Sequence, residues 1–377
     1  MTNRRDFLKK LGIAGIATGL PSFAAAGNLQ NRSLSSVLST NFPQKDEMIW
    51  AVLIHLSYNM WQDFTPEKYR SETYSPSYTA EEAADWAHYY QPMLTCDKTA
   101  WDNTIQKMAE SGLNMVLIDL GDGVKYETHP EIGVRGAWRP DELRKSIAQI
   151  RSYGIEPIPK LNFSAAHKAW LGQYQYILSS DRYYEVCKNL ITEVIDIFDR
   201  PRYFHLGMDE ETYYHQVEYD FIVVRQNEQW WKDFYFLVDQ VERHNVRSWI
   251  WSDMAWQHKE EFFKKMPKSV LQSNWNYEEK GATFNEKGEA NDIIAEAFFD
   301  LEEKGYDQVP SASLWLNGEW NNYTNFDNIV RNCKRIIAPD RLKGFMQTIW
   351  MPTLTPCYPY HEKAIELVGE AKRKYGT

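Results

Sequence analysis

From residue 48 onward, short apolar runs alternate with longer stretches in which apolar residues recur every three or four positions. The short runs cover 48–56, 114–120, 155–161, 203–208, 246–251, 270–273, 311–316 and 344–350, and their length and polar boundaries predict β-strands. The stretches between them include 98–111, 140–153, 182–198, 228–244, 292–304 and 325–337, and these carry the period of amphipathic helices. Asp97 and Ser180-Asp181 precede two of them as capping residues, and Pro140 stands at a first helical position, where its missing N–H is no loss. Pro157 and Pro159 sit awkwardly in a central strand, because neither can donate to a ladder.

Strands separated by crossover helices predict an α/β fold with a parallel sheet, and eight of them fit a closed (β/α)8 TIM barrel. An open doubly wound sheet would carry a glycine-rich loop after its first strand; here His55-Leu56-Ser57-Tyr58 follows, without a glycine. No Pro/Gly-rich break and no internal repeat divides residues 48–377, so they are expected to form one domain. Ahead of it, Arg4-Arg5-Asp6-Phe7-Leu8-Lys9, a small-residue apolar run and Ala24-Ala25-Ala26 have the order of a cleavable signal peptide over residues 1–26. The paired arginines resemble a twin-arginine (Tat) signal, which predicts a bacterial periplasmic or otherwise exported protein and the Tat export machinery as a partner. The apolar run is too short for a stable membrane span. Residues 27–47 are polar, lack periodicity and read as a flexible leader.

Charge narrows the partners. The 377 residues hold 42 Lys and Arg against 52 Asp and Glu, a net of −10, with no cationic cluster beyond the N-terminus. That balance argues against nucleic acid and anionic membrane as partners. The four cysteines lie far apart without a C-x-x-C pair, which argues against a zinc knuckle; they are expected to be buried, or to form one disulfide. No Gly-x-Ser-x-Gly motif marks a serine nucleophile. Aromatic residues are abundant, with 15 Trp, 23 Tyr and 17 Phe, and flat rings stack on sugars.

In a (β/α)8 barrel the site lies at the C-terminal ends of the strands. Those ends carry Asp119, Asn162 and His167, then His205, Asp209 and Glu210, and then Trp251, Trp275 and Tyr277, Trp315 and Glu319, and Trp350. Carboxylates, amides and tryptophans suit a carbohydrate substrate. Strand alternation over His205-Leu206-Gly207-Met208-Asp209-Glu210 would put His205, Gly207 and Asp209 on one face. Two adjacent carboxylates at one mouth are expected to separate in pKa, one staying charged while the other holds a proton. Glu211 reads as an acid in a helix N-terminal turn.

His-x-Gly-x-Asp-Glu at a fourth barrel strand resembles the signature of glycoside hydrolase family 20, the β-N-acetylhexosaminidases. Residues 112–119, 154–159 with Asn162 and His167, 249–253 and 349–350 resemble that family's second, third, fifth and eighth strands in order. The resemblance implies an exported glycoside hydrolase using substrate-assisted, retaining hydrolysis without a cofactor or metal. Glu210 would be the general acid, and Asp209 would orient the substrate's own 2-acetamido group. It also implies that His167 and His205 support the acids and that Trp251, Trp275, Trp315 and Trp350 shape the sugar pocket. Tyr277 would donate to the acetamido oxygen. Asn162, Asp119 and Glu319 complete the expected substrate-binding set. The chain departs from the family pattern at Met208, Lys160 and Asn162, lacks an arginine on its first strand, and has no acid in Trp350-Met351-Pro352. Two alternatives stand beside this reading: a non-catalytic carbohydrate-binding barrel, and a metal-dependent barrel hydrolase or isomerase.

Overall fold

A computed structural model describes residues 47–376 apart from 71–74, 76, 280–289 and 291. The expected signal peptide and almost all of the expected leader therefore lie outside the described residues. Eight strands form one parallel sheet: β1 (Ile49–His55), β2 (Met115–Asp119), β3 (Glu156–Lys160), β4 (Tyr203–His205), β5 (Arg247–Trp251), β6 (Leu271–Ser273), β7 (Ser311–Ser313) and β8 (Gly344–Thr348). Each pairs with its sequence neighbour from β1 to β6, and β1 pairs with β8 and β8 with β7. The remaining gap, between β6 and β7, is laced by bridges Gln272–Gln308 and Trp275–Ser311, so the barrel is nearly closed. All seven residues of β1 are buried, as befits a strand covered on both faces.

The helices are α1 (Ala80–His88), α2 (Lys98–Glu110), α3 (Pro140–Ser152), α4 (Asp181–Ile197), α5 (Glu228–Glu242), α6 (Met254–Gln257), α7 (Lys259–Lys265), α8 (Ile293–Glu303), α9 (Asn325–Ile336) and α10 (Tyr358–Tyr375). The expected caps are in place. The Asp97 side chain accepts from Ala100 N at 2.7 Å, that of Ser180 accepts from Tyr183 N at 3.2 Å, and Pro140 opens α3. Helices α1, α6, α7 and α10 add to the expected set. The last buries His361, Ala364, Ile365 and Val368, a helical spacing visible in the sequence.

Pro157 and Pro159 lie inside β3 after all. Glu156 N donates to Asn114 O on the β2 side and Leu161 N to His205 O on the β4 side. The alternation of a parallel ladder therefore turns both missing donors toward β4. There the register reduces to the single pair Lys160–His205, whereas β3 pairs with β2 along its whole length.

Strand β4 is shorter than expected, because Gly207 and Met208 adopt φ of 73° and 70°, outside the extended region. His205, Gly207 and Asp209 therefore do not share a strand face. The four cysteines are buried and unpaired, which decides between the two expectations for them. Among the described residues, no helix is long and apolar enough to cross a membrane.

Candidate active site

The C-terminal ends of the strands open onto a cavity of about 500 Å³, within the range of small-ligand sites. Its walls are aromatic: Trp61 after β1, Trp251 at the end of β5, Trp275 and Tyr277 after β6, Trp315 and Trp320 after β7, and Trp350 after β8. Trp275 lies against Tyr277 at 4.9 Å between ring centroids, and Trp61 meets Trp350 edge-on at 5.5 Å. Asp209 and Glu210 reach this cavity from the turn after β4, and Glu81, Asp85 and His88 line it from α1.

The turn carrying the two acids is built from unusual backbone. Besides Gly207 and Met208, Glu210 has a φ of 53°, and non-glycine residues persist there only where their surroundings hold them. A Cβ on Gly207 would lie 1.9 Å from Asn162 Oδ1, so only glycine lets the turn approach β3's loop. Trp251 N donates to Gly207 O at 3.0 Å, and Glu210 N donates to Asp253 Oδ2, also at 3.0 Å. Ser164 Oγ donates to Asp209 O.

One imidazole spans both acids. His167 Nε2 lies 3.4 Å from Asp209 Oδ2 and 3.3 Å from Glu210 Oε2. Its Nδ1 lies 3.2 Å from Met60 O, so both ring nitrogens face acceptors and the ring is suited to be doubly protonated. Burial alone would lower its pKa, but the two carboxylates more than reverse that and raise it to about 10. For Asp209, burial pushes upward, while His167, Lys160 and the Asn162 amide hold the carboxyl well below the usual range. Asn162 Nδ2 donates to Asp209 Oδ1 at 2.9 Å. Glu210, the more exposed acid, has His215 Nε2 3.4 Å from its Oε1.

Asp253 ties the acids to the aromatic wall. Its Oδ1 accepts from Trp275 Nε1 at 2.8 Å, while burial and the neighbouring Asp209 and Glu210 push its carboxyl well above the usual range. Tyr277 Oη accepts from Trp350 Nε1 at 3.1 Å and from Thr348 Oγ1 at 3.4 Å. Thr348 has one hydroxyl proton, which also faces Ala312 O at 3.1 Å; the indole bond occupies a lone pair of Tyr277 and leaves its O–H able to donate to a ligand.

Of the expected residues, Asp209, Glu210, Trp251, Trp275, Tyr277, Trp315 and Trp350 line the cavity. Asn162 and His167 reach it through the acids. His205 and Asp119 lie in the barrel interior instead. Burial and Lys160 hold the His205 ring well below its usual pKa, and its Nδ1 accepts from Gly207 N at 3.1 Å. Asp119 is buried in an ion pair with Lys160. Glu319 is exposed, accepts from Asn321 Nδ2 and is not part of the lining. It closes a tight turn in which Leu316 and Glu319 bond to each other's backbone; its neighbours Gly318 and Trp320 line the cavity, while its own carboxylate is engaged by Asn321. The sequence reading missed Tyr58, Trp61, Trp320, His215 and the α1 wall; for α1, Thr79-x-x-Glu82 was a usable capping-box signal. Among the described residues, no group of three or more His, Cys, Asp or Glu is arranged to hold a metal ion.

Comparison with solved structures agrees with this architecture. A β-N-acetylhexosaminidase from Bacteroides fragilis superposes with a TM-score of 0.54 at 13% identity, over 85% of this chain and 65% of its own. An exo-β-N-acetylglucosaminidase from Vibrio harveyi gives 0.53 at 13%, over 85% and 54%. A Streptomyces coelicolor β-N-acetylhexosaminidase gives 0.54 at 11%, over 85% and 64%. At these identities the likeness concerns the fold, and the chain spans between about half and two thirds of the length of these relatives. No curated protein sequence matches the chain. The sequence model of the glycosyl hydrolase family 20 catalytic domain matches residues 159–356, a little over half of the chain, and covers the turn that holds Asp209 and Glu210. The chain belongs to glycosyl hydrolase family 20.

Proposed function

We propose that the protein is an exported glycoside hydrolase of the β-N-acetylhexosaminidase type, acting by substrate assistance. The observation that carries this reading is the adjacent pair Asp209 and Glu210, joined through His167 at the wall of an aromatic cavity. The tryptophans offer faces on which a sugar ring stacks. The Tyr277 O–H donates to the 2-acetamido carbonyl, and Asp209, held ionised, accepts from the acetamido N–H.

In the first step, the acetamido oxygen attacks the anomeric carbon while Glu210 gives its proton to the departing glycosidic oxygen. Asp209 stabilises the positive charge that develops on the cyclised acetamido group. In the second step, water attacks the same carbon, the bond from that carbon to the acetamido oxygen breaks, and a proton of the water passes to Glu210, so configuration is retained. His167 holds both carboxylates in place, and Asp253 fixes the Glu210 backbone and Trp275.

The test is a panel of aryl β-glycosides: N-acetylglucosaminide, N-acetylgalactosaminide, glucoside and galactoside. Cleavage confined to the 2-acetamido sugars supports substrate assistance. Cleavage of the plain glycosides would instead require an enzyme nucleophile and overturn it. Sugar affinity without product from any substrate would favour the binding-only barrel. Inactivation by a chelator would favour the metal-dependent one. Glu210→Gln is expected to lose nearly all turnover on poor leaving groups and less on activated ones, whereas Asp209→Asn loses both.

Export rests on Arg4-Arg5 and the apolar run that follows. Replacing both arginines with lysine should leave the protein in the bacterial cytoplasm when cells are fractionated. Unchanged periplasmic recovery would reject the Tat route.

A further inference from the structure

The third acid of Asp209-Glu210-Glu211 has no part in the mechanism above, and it is not a helix-cap residue. Its side chain is 3% exposed and ion-paired with Arg225, itself 2% exposed. Arg225 also donates to Phe163 O at 2.7 Å and to Asp233 Oδ2 at 3.0 Å. Glu211 Oε1 in turn accepts from Ala165 N at 3.1 Å. Asp233, on α5, takes further bonds from Ser179, Tyr184 and Gln229. One guanidinium thus ties together the turn after β4, the loop after β3 and α5. The planar fork of arginine can do this where a lysine's point charge cannot.

Those two loops carry the three groups that must stay in register. Asp209 and Glu210 immediately precede Glu211, and His167 follows Ala165 by two residues. Glu210 sits at a φ of 53° and Met208 at 70°, conformations that relax unless the chain is fixed on both sides. On the N-terminal side, Trp251 N and Asp253 fix Gly207 and Glu210. On the C-terminal side the buried Glu211 carboxylate is the anchor.

We propose that Glu211 and Arg225 are positioning residues, whose buried ion pair sets the orientation of Glu210 toward the glycosidic oxygen and of His167 toward both acids. This rests on the hydrolase reading for its kinetic consequence but not for its structural one. Neither residue lines the cavity, so a loss of their pairing should act on kcat and spare KM.

The experiment uses the full chain with Arg225→Met, Arg225→Lys and Glu211→Gln. Each is assayed on two N-acetylglucosaminides, one with a 2,4-dinitrophenyl and one with a methyl leaving group. Hydrogen exchange of residues 163–167 and 206–211 is followed in parallel. The positioning role predicts that Arg225→Met lowers kcat on the methyl glycoside at least tenfold more than on the activated one, with KM within about twofold. Arg225→Lys should recover part of that loss. Exchange should quicken in both segments and not in β1 or β2. Glu211→Gln, the mildest change, should show the same pattern at smaller amplitude and covers the case in which Arg225→Met does not fold.

Equal losses on both substrates, or exchange that rises evenly across the barrel, would mean a general stabilising role and overturn the proposal. If the unmodified protein cleaves neither glycoside, the hydrolase reading fails, and the local exchange pattern alone decides whether the pair positions the turn.

Discussion

Replacing Gly207 with alanine tests the geometry of the site most directly. The new Cβ would stand 1.9 Å from Asn162 Oδ1, 2.3 Å from its Cγ and 2.8 Å from its Cα. Rotating the Asn162 side chain removes the first two clashes but not the third, so the β3 loop must also move. The φ of 73° at this position costs an L-residue about 1–2 kcal/mol, and overpacking adds about 1–3 kcal/mol. The sum, about 2–5 kcal/mol, is a large share of a typical domain's stability of about 5–15 kcal/mol. The displaced amide would also release Asp209 from a charge-assisted bond worth about 1.5–3 kcal/mol. If that bond matters as much in the transition state, turnover falls roughly 10- to 150-fold. Urea unfolding and aryl N-acetylglucosaminide turnover measure the two effects. Asn162→Ala separates them: it should lose comparable activity with less instability, and Gly207→Ala should cost less in its background. A Gly207→Ala protein within about 0.5 kcal/mol and twofold of the parent, a change typical of an uninvolved surface site, would refute the argument.

Other outcomes follow from groups already placed. Because His167 has a raised pKa, to about 10, its contribution to stability is full below its unfolded value near 6.5. It is lost as pH rises toward 10, so the gap in unfolding free energy between the parent and His167→Gln should narrow across that window. The depressed Asp209 carboxyl acts oppositely, and Asp209→Asn should lose its stability deficit as pH falls below about 4. Asp253→Asn keeps only one acceptor oxygen for two donors, Trp275 Nε1 and Glu210 N. It should cost about 1–3 kcal/mol and alter tryptophan fluorescence; an unchanged spectrum would count against that arrangement. The four cysteines should be inert to a thiol reagent in the native protein and react fully in denaturant.

The sequence revealed the barrel because strands buried on both faces, β1 and β2 most clearly, read as nearly continuous apolar runs; β6 and β7, which are LQS and SAS, were legible only through the apolar residues beside them. It revealed less where backbone conformation overrides pattern. The apolar spacing of residues 203–208 suggested six residues of strand, but the positive φ at Gly207 and Met208 ends β4 at His205. The same turn explains why His205 and Asp209 part company, one facing Trp249 and Trp251 inside the barrel and the other the cavity. Asp119 and Lys160 sit at adjacent strand ends, and only the β2–β3 register, which pairs them directly, shows that they neutralise each other. Glu211 read as an acid of a helix N-terminal turn because its partner, Arg225, lies fourteen residues away in a loop with no periodic signal.

The prolines of β3 give the barrel floor a mechanical asymmetry. On the β2 side, β3 is bonded along its whole length, so those two strands resist sliding. On the β4 side the lacing is sparse, and it lies directly beneath the turn that carries the acid pair. Shear along that seam stretches few bonds. The register of β4 against β3 is therefore held above the strands rather than between them, by Phe163 N donating to Leu206 O and by Arg225, which bonds both Phe163 O and Glu211.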